Sequence, residues 1–412
     1  MAADLSAEEK ATLLKNNLQE WLGWDVIEDV LTKGERPVSI YWGTATTGRP
    51  HCGYFVPMLK VAEFLRAGCH VKILLADIHG FLDNLKAPIE LVEFRAKYYK
   101  YVITALLRAV NVPIDKLEFV LGSSYQLSKE YTMDLFRLSS VVTEHDAKKA
   151  GAEVVKQVEN ATLSGLIYPL MQSLDEEYLK VDVQFGGVDQ RKIFALAKEV
   201  LPKIGYKTRA HLMNPMVPGL AGGKMSASDP DSKIDVLDPP ELIRKKLKKA
   251  YAAPKEVEGN GVLSFCEYVL LPASALQEGE GKFVVKRRDA EPLVYTNIKQ
   301  MQKDYREDIL IPQDLKAAVT DALIVLLESV QRDFQASPEW QEVEKKAYPP
   351  AEPEKKKKQK KDRGSRYPGA AKEVEAQPDG SVEGKTQAEV SLDKDAAAAL
   401  EKLELEKKAV EA

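Results

Sequence analysis

Three separated stretches of the sequence carry residue types suited to phosphate chemistry. The first, Tyr41-Trp42-Gly43-Thr44-Ala45-Thr46-Thr47-Gly48-Arg49-Pro50-His51-Cys52-Gly53-Tyr54, leaves a short apolar strand through small and hydroxyl residues and then enters a helix. A handover of this kind aims backbone N–H groups and the positive end of a helix at an anion. Gly53 lacks a side chain, so a nucleotide can lie close to the backbone, and His51 offers a donor to a phosphate oxygen. The second stretch, Gly186-Gly187-Val188-Asp189-Gln190, also follows a strand and places a carboxylate at the start of a helix. The third, Gly222-Gly223-Lys224-Met225-Ser226-Ala227-Ser228-Asp229, is a loop whose lysine can swing in and neutralise charge developing on a pyrophosphate leaving group. Read one at a time, each has a plainer alternative: a capped turn, or a solvated loop lysine.

A fourth signal lies on the helix predicted over Leu163–Tyr178. Tyr168, Gln172 and Asp175 stand at i, i+4 and i+7, so a phenol, an amide and a carboxylate share one face, while Leu170 and Leu174 face the core. That face is either a solvated polar stripe or the wall of a small polar pocket with Tyr41 opposite on the strand.

Alternating apolar strands and helices must hold these groups. Strands are expected at 38–42, 71–76, 117–121 and 181–185, with helices through Leu65, over 91–110 and from Arg191 onward. This alternation predicts βαβ units, a parallel sheet and an α/β fold. Residues 1 to about 35 read as helical, 124–159 as a charged helical insertion, and 211–228 as a loop rich in Pro, Gly and Met. Beyond Pro239 the pattern becomes mainly helical, with a strand piece at 282–286. After about Ala347 the chain is rich in Pro, Lys, Glu and Ala and reads as a disordered basic tail. Its last apolar stretch, 396–410, is marginal as an isolated helix. The expected division is therefore 1–35 (helical), 36–230 (catalytic, with the insertion near 124–160), 231–346 (mainly α) and 347–412 (tail).

The 412-residue length suits more than one domain, and 44% hydrophobic residues suffice for a packed core. No stretch is apolar enough to span a membrane, and the first residues do not read as a secretory signal. Three dispersed cysteines argue for a reducing compartment. The five histidines never reach metal-ligand spacing with one another or with cysteine, so no structural zinc site is expected. With a net charge of −4, contact with nucleic acid must rely on local basic patches.

The motifs and their order resemble the class I aminoacyl-tRNA synthetases, and within them the eukaryotic, fungal-type cytosolic tyrosyl-tRNA synthetases. YWGTATTGRPHCGYFVP resembles that family's HIGH signature and GGKMSASD its KMSKS loop. ADIHGFLDN, YQLSKEYTMD, KKAGAEVVKQ and SGLIYPLMQSLDEEYLKVDVQFGGVDQRKIF match in sequence and order, over about residues 35–335. The resemblance implies a Rossmann-like catalytic domain followed by an anticodon-binding domain. It implies that Tyr41 and Asp175 bond the substrate phenol. Tyr168, Gln172 and Gln190 would hold its α-amino group, with Asp77 lending negative charge nearby. Gly53, Gly187 and Asp189 would seat ATP, and Thr46, His51, Lys224 and Ser228 would stabilise its triphosphate, with Mg2+ accompanying the phosphates. Partners implied are L-tyrosine, tRNA(Tyr) and a second copy of the chain meeting near residues 131–142, all in the cytoplasm. The basic tail also has a nuclear-import reading.

The chain departs from the pattern in places. Cys52 and Tyr54 leave the opening signature without a second histidine, and Ala227 stands where many relatives carry lysine or serine. Phe283 and Asp314 match anticodon-reading positions, yet Ile311 replaces a frequent histidine and 289–308 diverges. Lys148, Lys149 and Lys156 suit an acceptor stem, and Arg244 to Lys249 suit a phosphate backbone. The competing readings are a tryptophanyl-tRNA synthetase, a catalytically inactive tRNA-binding homologue, and a nucleotidyltransferase sharing the His-x-Gly turn.

Overall fold

Six strands form one sheet in the order β1-β6-β5-β2-β3-β4. They are β1 (Glu20–Leu22), β2 (Ser39–Ala45), β3 (His70–Ala76), β4 (Leu117–Leu121), β5 (Val183–Gly187) and β6 (Ala210–Asn214). All neighbours are parallel except β1, which runs antiparallel to β6. The structure is a computed structural model. It describes residues 5–83, 88–112, 114, 117–155, 162–219, 233–288 and 290–349, which lie within one compact unit, Met1–Glu352. The expected α/β class is the fold observed. Lys224, Ser228 and the rest of their loop, Lys156, and the basic tail with its 396–410 stretch lie outside the described residues.

Strand β2 sits at the centre because its even residues and their neighbours bury on both faces: Ile40, Tyr41 and Trp42 are all buried. From β2 the chain moves outward to β3 and β4, then returns to the other side of β2 to lay down β5 and β6. The carboxyl ends of β2 and β5 therefore diverge at a switch point, where open α/β sheets leave a crevice.

The helices α1 (Ala7–Lys15), α2 (Trp24–Lys33), α3 (Phe55–Arg66), α4 (Asp77–Leu82) and α5 (Ile89–Ala109) precede β4. Next come α6 (Ser123–Gln126), α7 (Lys129–Ser139), α8 (Glu144–Gly151) and α9 (Leu163–Tyr178), with α10 (Arg191–Val200) joining β5 to β6. After the sheet the chain forms α11 (Pro240–Lys249), α12 (Gly261–Phe265), α13 (Leu271–Glu278), the hairpin β7 (Phe283–Val285) and β8 (Leu293–Tyr295), α14 (Ile298–Arg306), α15 (Pro312–Ala336) and α16 (Pro338–Ala347). No helix among the described residues is long and apolar enough to cross a membrane.

Two sequence expectations need correction. The first 35 residues are not wholly helical: α1 stops at Lys15, Asn17 takes a left-handed conformation (φ 53°), and Glu20–Leu22 pairs with β6. Residues 211–214 are not loop but the core of β6, where all five residues are buried. A strand covered on both faces shows no alternation, and the Pro- and Gly-rich run that follows hides its end.

Beneath the sheet, His211 of β6 and Glu176 of α9 form a fully buried pair, Nε2 to Oε1 at 2.7 Å, and His211 stacks on Phe194 at 4.8 Å. Breaking such a pair strands a polar group in the core. It ties α9 to the sheet and so fixes the register of the helix that walls the crevice.

Candidate functional site

A cleft of about 390 Å³ opens at the switch point. Its floor is β2 (Tyr41 to Ala45) and the end of β5 (Gln184 to Gly187), and its wall is Tyr168, Gln172 and Asp175 of α9. His51, Gly53 and Tyr54 stand at one end, and Asp189 and Gln190 beside them. The helical spacing of the α9 triad thus forms a pocket wall rather than a solvated stripe, with Leu170 and Leu174 buried behind it.

Asp175 is the most constrained group in the cleft. It is 1% exposed, and its Oδ1 accepts three hydrogen bonds, from Tyr125 Oη (2.8 Å), Gln126 Nε2 (2.9 Å) and Tyr131 Oη (3.0 Å). Its Oδ2 is buried with no hydrogen-bond partner among the described residues; His79 Nε2 lies 3.9 Å away. Burial pushes the Asp175 carboxyl above the usual carboxylate range, against the pull of His79 and the three donors. Desolvation also keeps His79 neutral. Gln126 Nε2 faces His79 Nδ1 at 3.5 Å, an arrangement that leaves the ring proton on Nε2, on the Asp175 side. Tyr41, 1% exposed, turns its phenol into the same space, and burial with the nearby Asp175 charge holds that phenol protonated. The far end of the cleft therefore presents one acceptor oxygen and one phenol, both buried.

The middle of the cleft is amide-lined. Gln172 Nε2 donates to Gln190 Oε1 at 3.1 Å, and the Tyr168 ring packs edge-on against His79 at 4.6 Å. At the near end, His51 Nδ1 accepts from Gly53 N–H at 3.2 Å, which leaves Nε2 as the protonated, donating nitrogen. Burial and then Lys233 lower its pKa to about 4, so the ring is a neutral donor at physiological pH. A Cβ on Gly187 would meet the Asp189 carboxylate at 2.5 Å, so only glycine there leaves that carboxylate its position.

Two residues expected in the cleft are placed elsewhere. Thr46 is fully buried, its Oγ1 without a hydrogen-bond partner among the described residues, and it does not line the cleft; the neighbouring Thr44 and Ala45 do. Asp77 holds backbone, accepting from Ile78 N–H (3.0 Å) and Ser123 N–H (2.9 Å), and does not line the cleft, whereas Asp83 joins Asp175 and Asp189 in lining it. Phe283, expected at an anticodon-reading position, lies in β7, is largely buried and lines a separate groove with residues of α13 and α15. Asp314 sits in the first turn of α15 and is partly exposed. Lys148 and Lys149 are exposed on α8. On α11, Arg244 pairs with Asp321 (2.9 Å) and Lys246 with Asp238 (2.7 Å), leaving Lys245, Lys248 and Lys249 as exposed cations.

Sequence reasoning missed His79, Tyr125, Gln126 and Tyr131. The tetrad meets only through the fold, and no short spacing announces it. Tyr125 and Gln126 share a four-residue helix directly after β4, which does not by itself single them out.

A profile of the class I tRNA synthetases (W and Y) matches residues 32–328. The chain is 56% identical over 378 residues to the cytoplasmic tyrosine–tRNA ligase of Saccharomyces cerevisiae, covering 90% of this chain and 96% of that one. It is also 56% identical to the cytoplasmic tyrosine–tRNA ligase of Danio rerio, covering 87% of this chain and 66% of that longer one. Among solved structures, the tyrosyl-tRNA synthetase of Archaeoglobus fulgidus in complex with L-tyrosine superposes with a TM-score of 0.72 at 35% identity, covering 80% of this chain and 99% of that chain.

Proposed function

Since the chain belongs to the class I tRNA synthetases of the W and Y group, we propose that the cleft between β2, β5 and α9 is where it activates tyrosine. The activity is that of a tyrosine–tRNA ligase, with ATP as the nucleotide substrate. On the same footing it acts in the cytoplasm. The observation that carries the residue assignment is the asymmetry of Asp175: one oxygen is saturated by three donors and the other is buried without a hydrogen-bond partner among the described residues, in the cleft that Tyr41 also lines.

On this reading the substrate phenol donates to Asp175 Oδ2 and bonds Tyr41. Gln172, Gln190 and Tyr168 receive the α-amino group, with Asp83 rather than Asp77 as the nearby carboxylate. Gly53, Gly187 and Asp189 seat the nucleoside. The tyrosine carboxylate attacks the α-phosphorus in line, tyrosyl-AMP forms and pyrophosphate leaves. The terminal ribose hydroxyl of the tRNA then attacks the mixed anhydride and releases AMP. No protein nucleophile is needed, so the protein's contribution is position and electrostatics. His51 Nε2–H donates to phosphate oxygens as charge builds; Lys224 and Ser228 serve the same phosphates, for which Mg2+ bound with ATP would supply countercharge. The test is tyrosine-dependent exchange between ATP and pyrophosphate, run beside phenylalanine and tryptophan. Exchange with tyrosine alone is expected; no exchange, or exchange driven by tryptophan, overturns the reading.

We further propose that 36–230 is the catalytic domain and 231–346 the tRNA-anticodon domain, with Asp314 and the α8 and α11 lysines contacting tRNA. Two copies of the chain would pair through α7. One face of that helix, Tyr131, Asp134 and Leu138, is buried in its own chain. The other presents Met133 and Phe136, 54% and 61% exposed, beside exposed Leu127 and Val141. Apolar side chains this exposed and clustered mark an association surface. Phe136→Asp should turn a dimer into a monomer by sedimentation while the circular dichroism is unchanged; a monomeric mass for the unsubstituted chain overturns the dimer.

A further inference from the structure

The turn that joins the tyrosine end of the cleft to the ATP end, Thr47-Gly48-Arg49, is held by side chains from distant helices. Thr47 C=O accepts from Arg95 Nη1 at 2.6 Å, and Gly48 C=O accepts from two phenols, Tyr99 at 2.6 Å and Tyr348 at 2.8 Å. Arg49 pairs with Glu344 at 2.7 Å. Its guanidinium lies 4.7 Å from the Tyr348 ring centroid, and that of Arg95 lies 5.2 Å from the same ring. Arg95 also donates through Nε to Ala347 C=O at 3.2 Å, so α5 and α16 grip the turn together. Two residues further on stands His51, followed by Cys52, whose N–H donates to Ile234 C=O at 2.9 Å.

A turn of this composition is loose on its own, since Gly48 adds backbone freedom at its centre. Each bond to its carbonyls removes that freedom before substrate arrives, and a catalytic group displaced by a fraction of an ångström loses rate. We propose that Glu344 and Tyr348 of the α16 segment are positioning residues for the activation step, fixing the Thr47–Gly48–Arg49 turn and through it His51. Neither touches substrate. They act on the ATP end of the cleft and leave the tyrosine end, which hangs on β2 and α9, untouched. This inference rests on the cleft assigned above.

The test compares Tyr348→Phe, which keeps the ring under Arg49 and deletes one hydroxyl, with Glu344→Gln, which deletes the charge at the partly exposed rim and leaves the fold intact. Glu342→Gln, an exposed change elsewhere on α16, is the control with unchanged kinetics. Steady-state exchange kinetics and equilibrium tyrosine binding are measured for each. Loss of one buried hydrogen bond predicts a rise of about fivefold to tenfold in KM for ATP with Tyr348→Phe, a fall in kcat, and tyrosine Kd within about twofold of the parent. A smaller rise of the same kind is expected for Glu344→Gln. Unchanged ATP kinetics in both variants overturns the inference, as does equal loss of ATP and tyrosine affinity, which is the mark of a general structural role. Should Tyr348→Phe fail to fold, Glu344→Gln decides by the same criteria. Absence of exchange in the unsubstituted chain instead overturns the function, so the two failures are distinct.

Discussion

Asp175→Ala should lower kcat/KM for tyrosine in the exchange reaction by about a thousandfold, with the KM for ATP nearly unchanged. Two losses combine. The substrate phenol loses a hydrogen bond to a charged acceptor, about 1.5–3 kcal/mol. The hydroxyls of Tyr125 and Tyr131 and the amide of Gln126 lose a shared acceptor, and orphaned donors of this kind cost about 1–3 kcal/mol each. Part of the second loss falls on the fold, so the variant should also melt earlier. Asp175→Asn separates the two: its amide oxygen can keep the three internal donors, while its NH2 group meets the substrate phenol as a donor. A drop of about a hundredfold is expected there, with little change in melting. Discrimination against phenylalanine should narrow in both variants, because an unfilled Asp175 Oδ2 is what makes phenylalanine costly to bind. If both variants activate tyrosine within tenfold of the parent, the phenol does not bind at Asp175.

His51→Ala should lower kcat for activation by between about a hundredfold and a thousandfold while tyrosine binding is retained, the usual cost of deleting one donor aimed at developing negative charge. No second histidine stands in the turn to compensate, since the neighbouring signature positions are Cys52 and Tyr54. Because burial lowers the His51 pKa to about 4, its Nε2–H is present throughout the neutral range, and kcat should show no His51 limb between pH 6 and 8. The same shift sets a sign for stability. Between pH 6.5, the ordinary histidine value, and about 4, the unfolded chain takes a proton at His51 that the folded chain refuses. Stability from this site is complete above that window and is lost as pH falls through it. The melting-point difference between the parent and His51→Gln should therefore shrink on acidification; a constant difference from pH 7 to 4.5 contradicts the buried neutral ring.

Helical periodicity made the α9 wall legible, because Tyr168, Gln172 and Asp175 are related by local geometry alone. The same holds for the strand-to-helix turns at His51 and Asp189. Long-range meetings were not legible. Tyr125, Gln126 and Tyr131 reach Asp175 across 44 to 50 residues of sequence, and Tyr348 reaches Gly48 across 300. Nothing local distinguishes such residues from ordinary core or surface. Thr46 and Asp77 show the converse: each lies beside a cleft residue in sequence, but strand alternation and a helix start turn them toward backbone and core. The strand order was likewise hidden, and with it the reason that the cleft lies between β2 and β5.

The three residues of β1 have a consequence for solubility. Without them β6 would be the outer strand of the sheet, a run of five buried residues with its backbone donors and acceptors open to the first chain that met it. A flat apolar edge of that kind templates strand addition between molecules. The antiparallel cap pairs Glu20, Trp21 and Leu22 against Met213, Leu212 and His211, and at three residues it is too short to pass the liability outward. Lys15 Nζ, 5.5 Å from the Trp21 ring centroid and 4.1 Å from that of Trp24, sets a charge beside the new edge. The amino-terminal segment is thus the sheet's guard against self-assembly, a role separate from anything done in the cleft.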